Sequence, residues 1–265
     1  MSGLLRPIVA ALILLACNSL EAHPEDEFCT AGSGLDPALC AALAEADRPA
    51  DLPGPDASRG MLSAEQRERV RNSIHLDRPW WKTAGLYLRL GFEHILPGGL
   101  DHILFVLALF LASTRLRPLL IQVSVFTLAH TFTLGLAAAG WISAPAAIVE
   151  PLIAVSIAFV AVENLFAREM TPWRPLVVFG FGLFHGLGFA SVLLDLGLPD
   201  EQFLTALVGF NVGVELGQLA VIGISWLLLH RAFSRPWYRR RLVLPSSAII
   251  AVTGSWWAVQ RMLPV

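Results

Sequence analysis

Charge is scarce in this chain. Only 15% of its 265 residues are Asp, Glu, Lys or Arg, where a soluble domain carries about 25%. Neither sign dominates: the formal net charge is −2, and without a basic stripe there is no electrostatic footprint for nucleic acid. A nucleotide-binding glycine motif is also missing, which excludes ATP-driven work by this chain alone. Cysteine is limited to three residues, too few for a disulfide-built scaffold. What is abundant is apolar: 55% of the residues are hydrophobic and mean hydropathy is +0.62. The charges that exist are crowded together. Residues 23–82 hold eleven acids and seven bases, whereas the chain beyond residue 83 is apolar and broken only by short arginine-bearing loops. The sequence therefore divides into a leader (1–22), a polar segment (23–82) and a membrane domain (83–265).

The leader has one base, Arg6, then the apolar run IVAALILLA and small residues, the pattern of a secretory signal peptide. Cleavage after Ala22 would expose His23-Pro24. Leu14-Leu15-Ala16-Cys17 is instead a lipoprotein-like box, and an uncleaved anchor is the third reading. All three send the following segment across the membrane. There, Cys29 and Cys40 remain, and in an oxidising compartment they suggest one disulfide. Residues 48–60 are rich in Pro, Asp and Gly and read as a linker. Ser63-Ala64-Glu65-Gln66 has the form of a capping box that opens a charged helix. Its composition makes the segment a spacer; the functional alternative is a metal-gathering arm using His23, its acids and His75.

A helix needs about 20 apolar residues to cross the hydrocarbon. Six candidates follow, at roughly 92–114, 118–139, 146–167, 175–195, 203–229 and 242–262. The expected fold is an all-α, polytopic membrane bundle of six transmembrane helices after the signal peptide. Arginines cluster in alternate loops: Arg115 and Arg117, Arg168 and Arg174, and Arg231, Arg235, Arg239, Arg240 and Arg241. The intervening loops, 140–145 and 196–202, have no Lys or Arg. The positive-inside rule then puts both termini on the periplasmic side of an inner membrane.

Against this background the ionisable residues inside the spans stand out, because each costs a few kcal/mol in hydrocarbon. His102, His130 and His185 each fall about 15–18 Å deep, and so does Glu215. Asp101 adjoins His102. Asn211 stands one turn outward from Glu215 on the same helix face, and His94 and Glu150 lie nearer the outer surface. The first span is interrupted by Pro97-Gly98-Gly99, and irregular backbone at such depth is tolerated where it lines a cavity or is buried in protein. Gly209, Gly213 and Gly217, four apart, form a face for close helix packing. The tryptophans at 80, 81, 141, 173 and 237 read as an interfacial belt.

A single intramembrane histidine is often interhelical glue, and Thr127, Thr131 and Thr133 are suitable partners for His130. Three midplane histidines with two carboxylates favour a site, since imidazole and carboxylate are ligands for divalent transition metals. Asp101 and Glu215 have no Lys or Arg at their predicted depth, so a cation or proton is their expected partner.

The run His94-Ile95-Leu96-Pro97-Gly98-Gly99-Leu100-Asp101-His102, followed in order by FTLAHTFTL, VEPLIAVSIAFVAVEN, FGLFHGLGFA and FNVGVELGQ, resembles the HupE/UreJ family of bacterial membrane proteins over most of residues 85–230. Pro97 stands three residues after His94 rather than directly after it, which is more like the family's second branch. The resemblance implies association with nickel enzymes, and for some members nickel or cobalt permeation. It puts the family's proposed metal motif on His94, Asp101 and His102.

Three functions follow as expectations. The leading one is a nickel or cobalt permease whose metal ligands are His94, Asp101, His102, His130, His185 and Glu215, with Glu150 and Asn211 as supporting polar groups. Neutral imidazole is the ligand, so uptake should weaken as pH falls through about 6.5. The second is an intramembrane zinc hydrolase with Asp101 or Glu215 as general base and Ser156 or Ser191 assisting. The third is a membrane assembly factor, with a metalloenzyme maturation system as partner. Besides the metal, the expected partner in every case is the lipid bilayer.

Overall fold

The computed structural model describes residues 79–167, 171–190 and 202–263. The expected signal peptide, the exported segment as far as residue 78, the expected Cys29–Cys40 disulfide and Ser191 lie outside the described residues. Those residues form an all-helical protein. In chain order the helices are α1 (Trp80–Ile95), α2 (Leu100–Leu111), α3 (Leu116–Ala138), α4 (Ala146–Phe166), α5 (Arg174–Gly188), α6 (Phe203–Leu229) and α7 (Leu244–Met262). A 3-10 turn, His230–Ala232, and a π turn, Arg239–Val243, lead into α7.

Four helices are long and apolar enough to cross a membrane alone: α3, α4, α6 with its 3-10 extension, and α7 with its π turn. The pair α1 and α2 passes the same test jointly, bent by 70° at its break, which makes four to five candidate spans. At 15 residues, α5 is short of the roughly 20 a crossing takes. The outer surface is apolar, as lipid requires: Leu128 and Phe132 on α3, Leu227 on α6 and Val252 on α7 are all exposed.

The apolar periodicity anticipates α3, α4, α6 and α7 to within a few residues. It misses the start of the first element by a dozen. Helix α1 begins at Trp80, but Lys82, Arg89 and Glu93 depress its hydropathy. Two of these charges are compensated locally, since Arg89 Nε donates to Glu93 Oε1 at 2.7 Å one turn away.

The break between α1 and α2 has a covalent origin. Pro97 has no N–H to continue the helix and disfavours helical backbone at the residue before it. Leu96 is accordingly extended (φ −129°, ψ 114°), and the Leu96–Pro97 bond is cis. Gly99 returns the chain so closely that an added Cβ would meet the carbonyl oxygen of His94. The turn thereby brings His94, at the end of α1, next to His102, in the first turns of α2. Helix α2 is buried nearly all round, as expected of a helix that is apolar on every face.

Three tight helix pairs surround α2: α1 with α6, α3 with α5, and α4 with α7. Glycines set each approach. Gly213 lies against the backbone of Leu88, and Gly91 against the backbone of Phe210. Gly186 meets His130 O, and Gly254 packs on Ala154 and Ala158. The glycine face read from residues 209, 213 and 217 is therefore the seat of α1.

Candidate metal centre

Four histidines from four helices converge where α1 breaks. His94 comes from α1, His102 from α2, His130 from α3 and His185 from α5. One ring nitrogen each from His94, His102 and His130 lies within 4.8 Å of the others. His185 joins them, with its Nδ1 3.4 Å from His102 Nε2. His102, His130 and His185 are buried, and His94 is half-buried.

Hydrogen bonds fix which nitrogen of two of these rings carries the proton. Asn211 Nδ2 donates to Leu207 O at 2.8 Å, which turns Asn211 Oδ1 toward His130 Nδ1 at 3.0 Å. An amide oxygen only accepts, so Nδ1–H of His130 donates. His130 Nε2 then has a free lone pair, and it is buried without a protein partner. Ser156 acts on His185 in the same way. Its hydroxyl proton goes to Ile153 O at 2.6 Å, so its oxygen accepts from Nε2–H of His185 at 2.9 Å. The lone pair of His185 is therefore on Nδ1, the atom facing His102. His94 Nε2 is also buried and unpartnered.

This donor set fits a first-row transition metal. Neutral imidazole nitrogens suit such ions, and a second hydrogen bond that orients each ring is the usual accompaniment of ligation. A tetrahedral ion with bonds of about 2.05 Å holds its nitrogens about 3.3 Å apart. The 3.4 Å between His185 and His102 is close to that spacing; the other three-histidine separations, up to 4.8 Å, are looser.

Aromatic rings enclose the group. Phe189 lies 4.1 Å from His94 between ring centroids and stacks on Phe210. On the opposite side, Phe126 contacts His102, His130 and His185, and Phe105 contacts Phe126 and His185.

The carboxylates named from sequence stand apart from these rings. Asp101 Oδ2 pairs with Arg261 Nη1 at 2.9 Å, and the same nitrogen donates to the carbonyl of Glu150 at 3.3 Å. The expectation that Asp101 has no basic partner is therefore corrected. Because α2 begins at the break, Asp101 sits at a helix start, level with the far end of α7 where Arg261 lies. The side chain of Glu150 is exposed. Glu215 accepts from Ser124 Oγ at 2.7 Å.

The threonines proposed as glue for His130 are used elsewhere. Thr133 donates to Leu183 O at 2.8 Å, Thr131 to Thr127 O at 2.7 Å, and Thr127 to Gln218 Oε1 at 3.1 Å. The sequence suggests Ser156 only as an assisting group of a hydrolase, not as the acceptor that orients His185. The position of Ser156 in an apolar helix three residues after Ile153 gives no warning of the ring it meets.

A second polar cluster lies at the arginine-bearing end. Arg174 is buried against Glu163 (3.5 Å) and Asn164 (3.2 Å), and Asn164 donates to Ala108 O at 2.7 Å. Thr171 donates to Glu163 at 2.8 Å. These contacts tie α2, α4 and the start of α5 together.

Fold and site together define a multi-pass membrane protein that encloses a cluster of imidazoles between its helices. The chain belongs to the HupE/UreJ family: the family model described as HupE / UreJ protein matches residues 70–261. No curated protein and no solved structure matches the chain.

Proposed function

We propose that this protein is a permease for Ni²⁺ or Co²⁺ in the bacterial inner membrane, crossing it six times with both ends outside. The observation that carries the reading is the pair of buried, unpartnered nitrogens, His94 Nε2 and His130 Nε2, in a cluster with His102. A ring nitrogen buried without a partner costs about 1–3 kcal/mol, and a metal ion bound to it removes that cost. Family membership favours nickel or cobalt as the cargo. The ligands are His94, His102, His130 and His185, with Asn211 and Ser156 orienting two of them.

The absence of a carboxylate from this cluster, among the described residues, bears on the type of function. Neutral ligands leave the charge of a dication uncompensated in a low-dielectric interior, which is costly. A site without a carboxylate holds a dication less tightly than the same site with one, which suits a cargo that must be released. The zinc hydrolase reading assigns its general base to Asp101 or Glu215, and these contact Arg261 and Ser124 rather than the histidine cluster. Permeation is therefore preferred to hydrolysis. A role in metalloenzyme assembly remains compatible, with the permease supplying the enzyme's metal.

The test is uptake of Ni²⁺ and Co²⁺ at limiting concentration by cells that express the protein, compared with the H102A and H185A variants at equal membrane abundance. Uptake that depends on both histidines is expected. Variants that accumulate metal as well as the wild type would remove the proposal.

A further inference from the structure

We infer that metal leaving the histidines moves toward the arginine-bearing ends of the helices between α3 and α6, over a lining of Thr127, Gln218 and Ser225. This route rests on the permease reading and adds to it the half of the pathway beyond the site.

Helix α6 carries Asn211, Gln218 and Ser225 at intervals of seven, two turns each, so the three share one face. All are buried. Asn211 touches His130. Gln218 lies about 10 Å further along the axis, and Ser225 about 10 Å beyond that, four residues from the helix end at Leu229. Helix α3 presents Thr127 to the same seam. Thr127 is one turn from His130, and its hydroxyl donates to Gln218 Oε1 at 3.1 Å. Polar groups thus recur along the seam from the histidines to the last turns of α6.

Packing alone does not require them. Helices in lipid associate through small residues and shape, and a buried amide in such an interior is a liability unless satisfied. Gln218 is not satisfied, since its Nε2 is buried without a partner. The two ends of a glutamine amide are nearly the same size. Turned over, Gln218 donates to the Thr127 oxygen and offers its own carbonyl oxygen to a passing cation. Glu215, held by Ser124 where α3 meets α6, flanks the seam with a carboxyl group.

The other way down is unfavourable. Beneath His102 and His185, Phe105 packs on Phe126 and Phe181, with centroids 5.1 and 6.2 Å away. Beyond those rings lies the buried guanidinium of Arg174, which repels a dication. The polar seam between α3 and α6 avoids both obstacles.

The double variant Thr127→Val/Gln218→Leu removes both partners of one hydrogen bond and keeps their shapes, a change that is close to neutral for folding. Ni²⁺ binding to the purified protein and Ni²⁺ flux into proteoliposomes are measured side by side, with thermal unfolding as the control. Binding within about twofold of wild type and flux lowered about tenfold or more are expected, and Gln218→Glu alone should retain flux. Ser225→Ala on its own gives the same readout if the double variant does not fold. Normal flux in folded variants overturns the route and leaves the permease reading standing. Loss of unfolding temperature and binding together overturns it too, since these groups would then be structural. Wild-type protein that neither binds nor moves Ni²⁺ or Co²⁺ removes the permease reading itself.

Discussion

At the scale of single residues, the site depends on groups that never touch a metal. A histidine is a useful ligand only if the correct nitrogen is deprotonated and aimed inward, and here Asn211 decides that for His130 while Ser156 decides it for His185. Replacing Asn211 by Leu leaves Nδ1–H without its acceptor and lets the ring turn or change tautomer. Metal affinity should fall about 10- to 100-fold, read by Co²⁺ titration of the visible absorption band, while Asn211→Asp, still an acceptor, keeps most of it. An unchanged titration in Asn211→Leu would show that packing alone orients the ring. The sequence revealed the histidines and Asn211 because polar groups are rare in an apolar span. It could not separate Asn211 from Glu215. The two are one turn apart and nearly aligned, yet Asn211 is buried against His130 while Glu215 is half-exposed and bound to Ser124. Helical spacing gives an angle about an axis, but which neighbour occupies that angle is set by packing between helices.

At the scale of elements, α6 and its glycines determine where His94 sits. An alanine at Gly213 would put a methyl group into the carbonyl of Leu88, which is backbone and cannot swing aside, whereas a methyl at Gly223 on the same helix meets nothing within 4 Å. Overpacking of this kind costs about 1–3 kcal/mol. Gly213→Ala is expected to unfold at lower temperature in detergent and to bind Co²⁺ less tightly, because α1 and its terminal histidine are pushed outward. Gly223→Ala should be at least as stable as wild type, since alanine is the better helix former by about 1 kcal/mol. Equal unfolding temperatures for the two would mean that α1 is not seated on this face. The small-xxx-small pattern was visible in the sequence, but its partner helix was not, because the charges on α1 lower its hydropathy and hide its first dozen residues. The Pro97-Gly98-Gly99 interruption was visible as well. Its consequence, the meeting of His94 with His102, depends on a 70° bend that no spacing rule supplies.

At the scale of the whole molecule, the directions of the helices must agree with one another. Contacts at Gly91, Gly209, Gly213 and Gly217 advance together along α1 and α6, so that pair is parallel, as are α3 and α5 through Gly182 and Gly186. The pair α4 and α7 is antiparallel: Arg261 reaches Glu150 at one end, and Arg239 reaches Asn164 at the other. This set of directions is self-consistent when α1 and α2 together make one passage and α5 makes another. Arg115, Arg117, Arg174, Arg231 and the run Arg239–Arg241 then share one side, which is the cytoplasmic side if the arginines obey the positive-inside rule. Ser143, exposed between α3 and α4, and Ser234, exposed between α6 and α7, should therefore lie on opposite faces of the membrane. With Cys29 and Cys40 changed to Ser, a membrane-impermeant thiol reagent applied to intact spheroplasts should label Ser143→Cys and spare Ser234→Cys, which should react only after lysis. Equal labelling of both positions before lysis would mean that α5 does not complete a passage. The histidines of α3 and α5 would then approach the site from a membrane geometry in which the seam between α3 and α6 no longer leads to the cytoplasm.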